Sequence, residues 1–139
     1  MAVDIHPTPA EMQSLGSGMA QIAPAGWTEL RYRVEVVGPT SAATITALTP
    51  AGPVAVDRPM PDDARRTLRT MRRAMYRPGV GTWFTATFTV GADGRFAAEF
   101  DYDTEPSHTF DPASWAADAQ RFPRAPAHTP AWLAPRGRG

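Results

Sequence analysis

Thr82-Trp83-Phe84-Thr85-Ala86-Thr87-Phe88-Thr89-Val90, then Gly91-Ala92-Asp93-Gly94, then Arg95-Phe96-Ala97-Ala98-Glu99-Phe100-Asp101-Tyr102-Asp103: two runs of alternating character flank a short turn-forming segment. Successive side chains in a strand point to opposite faces. Phe84, Ala86, Phe88 and Val90 therefore share one face of the first arm, and Phe96, Ala98, Phe100 and Tyr102 share one face of the second. The other face of the second arm is Arg95, Ala97, Glu99, Asp101 and Asp103. A Gly-containing link between two such arms predicts a β-hairpin over 82–103. A hairpin with one apolar face needs further strands and a covering layer, and the rest of the chain supplies both.

Upstream, Leu30, Tyr32, Val34 and Val36 alternate with Glu29, Arg31, Arg33 and Glu35, the pattern of a half-buried strand with a wet side. Gly38-Pro39 closes it. The Thr- and Ala-rich run 41–48 predicts a second strand. Val54 and Val56, flanked by prolines, predict a short edge strand, so the strands upstream of the hairpin occupy 27–56. Helices fill the gaps. Over 8–23, Met12, Leu15, Met19 and Ile22 fall within about 80° at roughly 100° per residue, and Thr8-Pro9 has the form of a cap followed by a first-turn proline. Over 61–76, Pro61-Asp62-Asp63 opens a helix whose apolar stripe is Ala64, Leu68, Met71 and Met75. Arg65, Arg66, Arg69, Arg72 and Arg73 are placed on the side away from that stripe. Asp111-Pro112 opens a short helix over 111–122 carrying Trp115, Ala119 and Phe122. Residues 123–139 form a Pro-rich tail that Trp132-Leu133 anchors to the body, ending in a frayed Arg-Gly-Arg-Gly. The expected fold is α+β: an antiparallel β-sheet of four to five strands with helices packed mainly on one face, in a single domain over 1–139.

Composition narrows the function. The 139 residues suffice for one core without disulfide or metal, and 42% hydrophobic against 20% charged residues excludes a disordered chain. Fourteen cations balance fourteen acids, which argues against a nucleic-acid partner. Every cation is Arg, matching the codon usage of a GC-rich bacterial genome. With no Cys, thiol catalysis and Cys-based zinc sites are excluded, and a cytoplasmic setting is natural. The N-terminus lacks the basic start and apolar run of a secretory signal, and no apolar run approaches the roughly 20 residues that span a bilayer, so no membrane role is expected.

Two charged groups stand out. Glu99, Asp101 and Asp103 lie on one face of the second arm with neighbours about 7 Å apart, and Glu105 extends the row. Such a row serves as a solvated sheet face, as a surface for a protein partner, or as a cation or acid/base site. The Arg-bearing helix face offers Arg69 and Arg73 to an acidic partner, or is simply solvated. His6, His108 and His128 are scattered in loops, the ordinary place for exposed histidine. No Gly-x-Ser-x-Gly elbow and no phosphate loop are present. The four tryptophans, 27, 83, 115 and 132, sit at element edges and read as cement between helices and sheet. No catalytic residue, metal or cofactor is expected.

The order of these parts resembles the YezG-type immunity proteins of bacterial polymorphic toxin systems. The carrying residues are Gly26-Trp27, the run 81–90 (Gly-Thr-Trp-Phe-Thr-Ala-Thr-Phe-Thr-Val), Gly94-Arg95-Phe96 and Glu99-Phe100-Asp101-Tyr102-Asp103. The resemblance covers about residues 10–122. The second strand lacks the family's aromatic run, and the tail is of an actinobacterial type. What it implies is a non-enzymatic protein that occludes a cognate toxin, often a nuclease, inside the producing cell. The family's Asp-Tyr-Asp match falls on Asp101, Tyr102 and Asp103. The expected partner surface is Glu99, Asp101, Tyr102, Asp103 and Glu105, with Arg69 and Arg73 second. The alternative is a small hydrolase or ligand-binding domain built on the carboxylates of 99–105.

Overall fold

The computed structural model of the chain describes residues 5–136. Gly137, Arg138 and Gly139, expected to fray, lie outside the described residues. The fold is α+β, with a five-stranded antiparallel sheet: β1 (Glu29–Val37), β2 (Thr40–Thr49), β3 (Gly52–Ala55), β4 (Thr85–Gly91) and β5 (Phe96–Asp101), in the order β3-β2-β1-β4-β5. The short proline-bearing β3 lies at an edge, as expected, paired with β2 from Thr46↔Ala55 to Thr49↔Gly52. Helices α1 (Pro9–Ile22), α2 (Asp62–Ala74) and α3 (Pro112–Arg121) complete the elements, with a 3-10 turn at Pro126–His128. The described residues group into two compact units: 5–33, Thr44–Ala74 and Thr87–Glu99 in the first; Val34–Ala43, Met75–Ala86 and 100–136 in the second.

In the first unit, Thr8 caps α1. Its hydroxyl accepts the Glu11 amide at 3.2 Å, while the Glu11 carboxylate accepts the Thr8 amide at 2.8 Å, so two of the helix's orphan donors are satisfied reciprocally. His6 adds its Nδ1 to that carboxylate at 2.7 Å and is largely covered, so it is not the exposed loop histidine expected. Leu15, Met19 and Ile22 are buried, and Met12 is half-buried. Gly18 lets α1 approach α2: a Cβ there would stand 2.9 Å from the Ala64 Cβ. Ser14 and Thr67 hydroxyls meet at 2.8 Å across the two helices. Acids in the first turn of α2 and arginines in its last turn both suit the helix dipole.

Arg72 corrects the reading of α2. It was placed on the polar side, yet it is 3% exposed beside buried Ala64, Leu68 and Met71. Four residues after Leu68, the helix returns to the same face. The apolar alternation is otherwise kept: Leu30, Tyr32, Phe88 and Val90 are buried, with Tyr32 and Phe88 rings stacked at 6.0 Å.

The second unit buries both Val36 and Val37, neighbours that point to opposite faces of β1, so both faces of that strand end are covered. On the Val37 side sit Phe84, Phe110 and Trp115, with Ala42, Trp132 and Leu133 packed around them. Asp111 caps α3 as expected, its carboxylate accepting the Ser114 amide at 2.7 Å. The β1–β2 turn is pinned to α3 by Gly38 N–H to Asp118 Oδ1 at 2.9 Å, and by the Thr40 and Ser114 hydroxyls at 2.7 Å.

Two strand expectations are corrected here. Glu35 was expected on a wet face but is 3% exposed. Its carboxylate accepts the Ser107 amide at 2.6 Å, the His108 amide at 2.9 Å and the Ser107 hydroxyl at 3.1 Å, which offsets the cost of burying charge. The hairpin arms are also shorter than 82–103, and Phe84 does not belong to the expected row. Trp83 meets Phe100 at 5.6 Å, while Phe84 turns toward Trp115 and Trp132, each at 5.6 Å. The alternation slips by one residue before β4, where the Thr82 carbonyl is taken by Arg124.

Candidate functional site

The acidic row is a strand only as far as Asp101. Beyond it the chain bends, so Asp103 and Glu105 lie in a loop and not on the β5 face, contrary to the period-2 expectation. Asp101 makes the bend: its Oδ1 accepts the amides of Asp103 at 3.0 Å and Thr104 at 2.9 Å, the local side-chain turn that Asp favours. Glu99 remains exposed on β5, in the first unit.

The loop is held from the tail. Arg124 sends Nη2 to the Tyr102 carbonyl at 2.6 Å and to the Thr82 carbonyl at 3.0 Å, and Nη1 to the His128 carbonyl at 3.0 Å. Its guanidinium lies 5.0 Å from the Phe84 ring centroid, and its side chain is 5% exposed. The Trp132 indole N–H donates to the Asp103 carbonyl at 2.8 Å. Burying a cation is tolerable where so many carbonyls receive it. Its terminal nitrogens are thus occupied by the fold, and Arg124 reads as a fastener.

What the loop shows to solvent is carboxylate. The Asp103 side chain is 80% exposed, with Oδ1 3.5 Å from Arg124 Nη1. Glu105 is partly exposed and pairs with Arg136, whose guanidinium lies 5.1 Å from the Trp115 ring centroid. Tyr102 is half-buried, and burial raises its phenol pKa against the opposing pull of Arg77 and Arg124. Asp101, Tyr102, Asp103 and Glu105 are brought together; Asp101 shapes the loop, and Asp103 and Glu105 are what it displays.

The second expected surface is less free. Arg69 is half-buried, and burial, then the neighbouring Arg72, depress its pKa. Arg73 is exposed and donates to the Thr70 hydroxyl at 3.3 Å. Arg65 and Arg66 pair with Asp62 and Asp63 one turn earlier. Such exposed pairs contribute little to stability.

No family model matches the sequence, and no curated protein matches it. Among the described residues, no three His, Asp or Glu side chains gather as metal ligands, and no helix is long and apolar enough to cross a membrane.

A concavity in the second unit holds none of the acidic-row residues. It is a recess of about 220 Å³ lined by α3, the tail and Phe84, and its one carboxylate is Asp118. Sequence reasoning missed this recess, along with Arg124 and Glu35. A lone Arg after Phe122-Pro123, inside an apolar tail, was the available signal for Arg124. Trp132-Leu133 as an anchor was legible, and both residues pack on the cluster around Trp115. Trp115 and Trp83 are buried as expected, whereas Trp27 is half-buried and lines an open groove with Met12 and Phe96.

Proposed function

We propose that this chain is an immunity protein: it binds and neutralises a cognate bacterial toxin domain in the cytoplasm of the producing cell, without catalysis. The observation that carries this reading is the 101–105 loop. Its backbone is fastened at the Asp101 carboxylate, the Tyr102 carbonyl and the Asp103 carbonyl, while the Asp103 carboxylate stands 80% exposed. A fixed loop loses little conformational entropy on docking, which favours affinity. Exposed carboxylates steer encounter with a basic surface, as a nuclease cleft presents, and speed matters to an inhibitor. The resemblance of the 81–103 segment to the YezG-type immunity proteins points the same way.

The reading expects a toxin domain to be encoded beside this gene, and the test is co-expression of the two in bacteria. The reading expects cell survival with the wild-type chain and loss of protection when Asp103→Asn and Glu105→Gln are combined. Death of cells carrying the wild-type chain would remove the immunity reading altogether. Full protection by the double variant would leave immunity standing but move the contact elsewhere. Substitution of Asp101 is unsuited to this purpose, because it unmakes the turn.

A further inference from the structure

β5 is one edge of the sheet, and its pairing with β4 decides which of its backbone groups face outward. Gly91 N–H donates to the Arg95 carbonyl at 2.8 Å, and Phe84 N–H to the Asp101 carbonyl at 3.0 Å, so the odd-numbered residues of this stretch turn their backbone groups toward β4. Alternate residues of an antiparallel strand turn the other way, so Phe96 and Ala98 aim N–H and C=O out of the sheet. Among the described residues no further strand pairs with β5 on that side. The opposite edge is guarded: β3 is four residues long, and its Pro53 has no N–H to donate. β5 has six residues and no proline, and such an edge is a template for another strand. We propose that β5 is the seam of a homodimer, in which β5 of a second copy pairs with it antiparallel about a two-fold axis at Ala97.

Charge complementarity selects a second copy and fixes the register. Arg95, Ala97 and Glu99 share one strand face, and all are exposed. An axis at Ala97 sets Ala97 against its own equivalent, Arg95 against Glu99 of the second copy, and Glu99 against Arg95 of the second copy. Such self-complementarity is what a two-fold interface requires. These are non-hydrogen-bonded pairs, in which side chains stand closest, about 4.5–5.5 Å between Cβ atoms. An ion pair thus lies on either side of two small alanines. The hydrogen bonds run between Phe96 and Ala98 of the facing strands, the residues whose backbone points outward. An axis at Ala98 would instead oppose Arg95 to Asp101, whose Oδ1 already accepts the amides of Asp103 and Thr104. Glu99 makes no ion pair among the described residues, and Arg95 is held at Nε by Asp93 at 2.8 Å, an exposed contact that contributes little. On the other face, Phe96 is half-buried, 6.1 Å from the Phe88 ring, and lines the open groove with Met12 and Trp27, so the seam continues an apolar surface.

Sedimentation equilibrium of the full-length chain, from about 1 μM to about 1 mM, reads the association. The wild type is expected to pass reversibly from monomer to dimer over that range. Glu99→Arg and Arg95→Glu each set like charges across the seam, and each is expected to weaken the dimer at least about tenfold. Mixed in equal amounts, the two variants regain both ion pairs, and are expected to associate at least about tenfold more tightly than either alone. Should one single variant not fold, the double variant Arg95→Glu, Glu99→Arg, expected to dimerise as the wild type does, takes the place of the mixture. Ala98→Pro, which removes an outward donor, is expected to weaken the dimer likewise. A wild type that stays monomeric to about 1 mM, folded single variants that dimerise as well as the wild type, or a mixture or double variant that fails to regain association would each overturn the proposal.

Discussion

Replacing Gly81 by Ala tests how firmly Arg124 is fixed. Gly81 has φ +98°, a backbone region that costs a residue with a Cβ about 1–3 kcal/mol. A Cβ there would also press on the Arg124 side chain, 2.8 Å from its Cγ, 3.0 Å from its Cδ and closer still to its Nε. On a mobile arginine the clash would be relieved by swinging the tip away. Here the guanidinium is committed to the carbonyls of Thr82, Tyr102 and His128, and moving it loses at least one charge-assisted hydrogen bond, about 1.5–3 kcal/mol. Gly81→Ala is therefore expected to destabilise by about 2.5–6 kcal/mol, a large share of a total that is typically about 5–15 kcal/mol. In an Arg124→Ala background the clash vanishes and only the backbone strain of about 1–3 kcal/mol remains. Urea unfolding of the four proteins in the cycle should show the double variant less destabilised than the sum of the singles, by about 1.5–3 kcal/mol. Additivity within about 0.5 kcal/mol would refute the view that a fixed guanidinium forms the wall beside Gly81.

Glu35→Ala strips the Ser107 and His108 amides of their acceptor, and should cost about 1–3 kcal/mol in denaturant unfolding, with faster hydrogen exchange at those two amides. Tyr32 gives a pH signature: burial pushes its phenol from the usual 10.0 up to about 12, against the opposing pull of Arg65 and Arg69. The unfolded chain then loses its phenol proton first. This contribution is fully present below pH 10 and is lost as pH rises toward 12, about 2–3 kcal/mol in all. Tyr32→Phe should flatten the fall of stability over that window, and an unchanged slope would contradict the assignment.

The parts of the fold that could be read from sequence are those whose cause is local. The hairpin announced itself because alternation and the Gly91–Gly94 turn are adjacent in the chain, and Thr8-Pro9 and Asp111-Pro112 because a cap acts within three residues. Glu35 was misread because its partners at 107 and 108 lie 72 and 73 residues away, and period-2 patterning knows nothing of a loop that folds back. Arg124 escaped notice because its partners are carbonyls, which every residue carries and no sequence pattern marks. The acidic row was legible as charge but not as shape: Asp101 could be counted among the carboxylates, but the turn it makes moved Asp103 and Glu105 off the strand. Arg72 was an arithmetic matter, four residues after Leu68 and so on the buried side of α2.

The most direct test of the immunity reading is calorimetric titration of the toxin domain expected beside this gene with the wild-type chain and with the folded Asp103→Asn, Glu105→Gln variant, at low and high salt. The account predicts tight, salt-sensitive binding by the wild type, weakened at least about tenfold, or roughly 1.4 kcal/mol, in the variant. Absence of binding by the wild type would contradict the immunity reading, and equal affinities for the two proteins, unmoved by salt, would contradict the 101–105 loop as its contact.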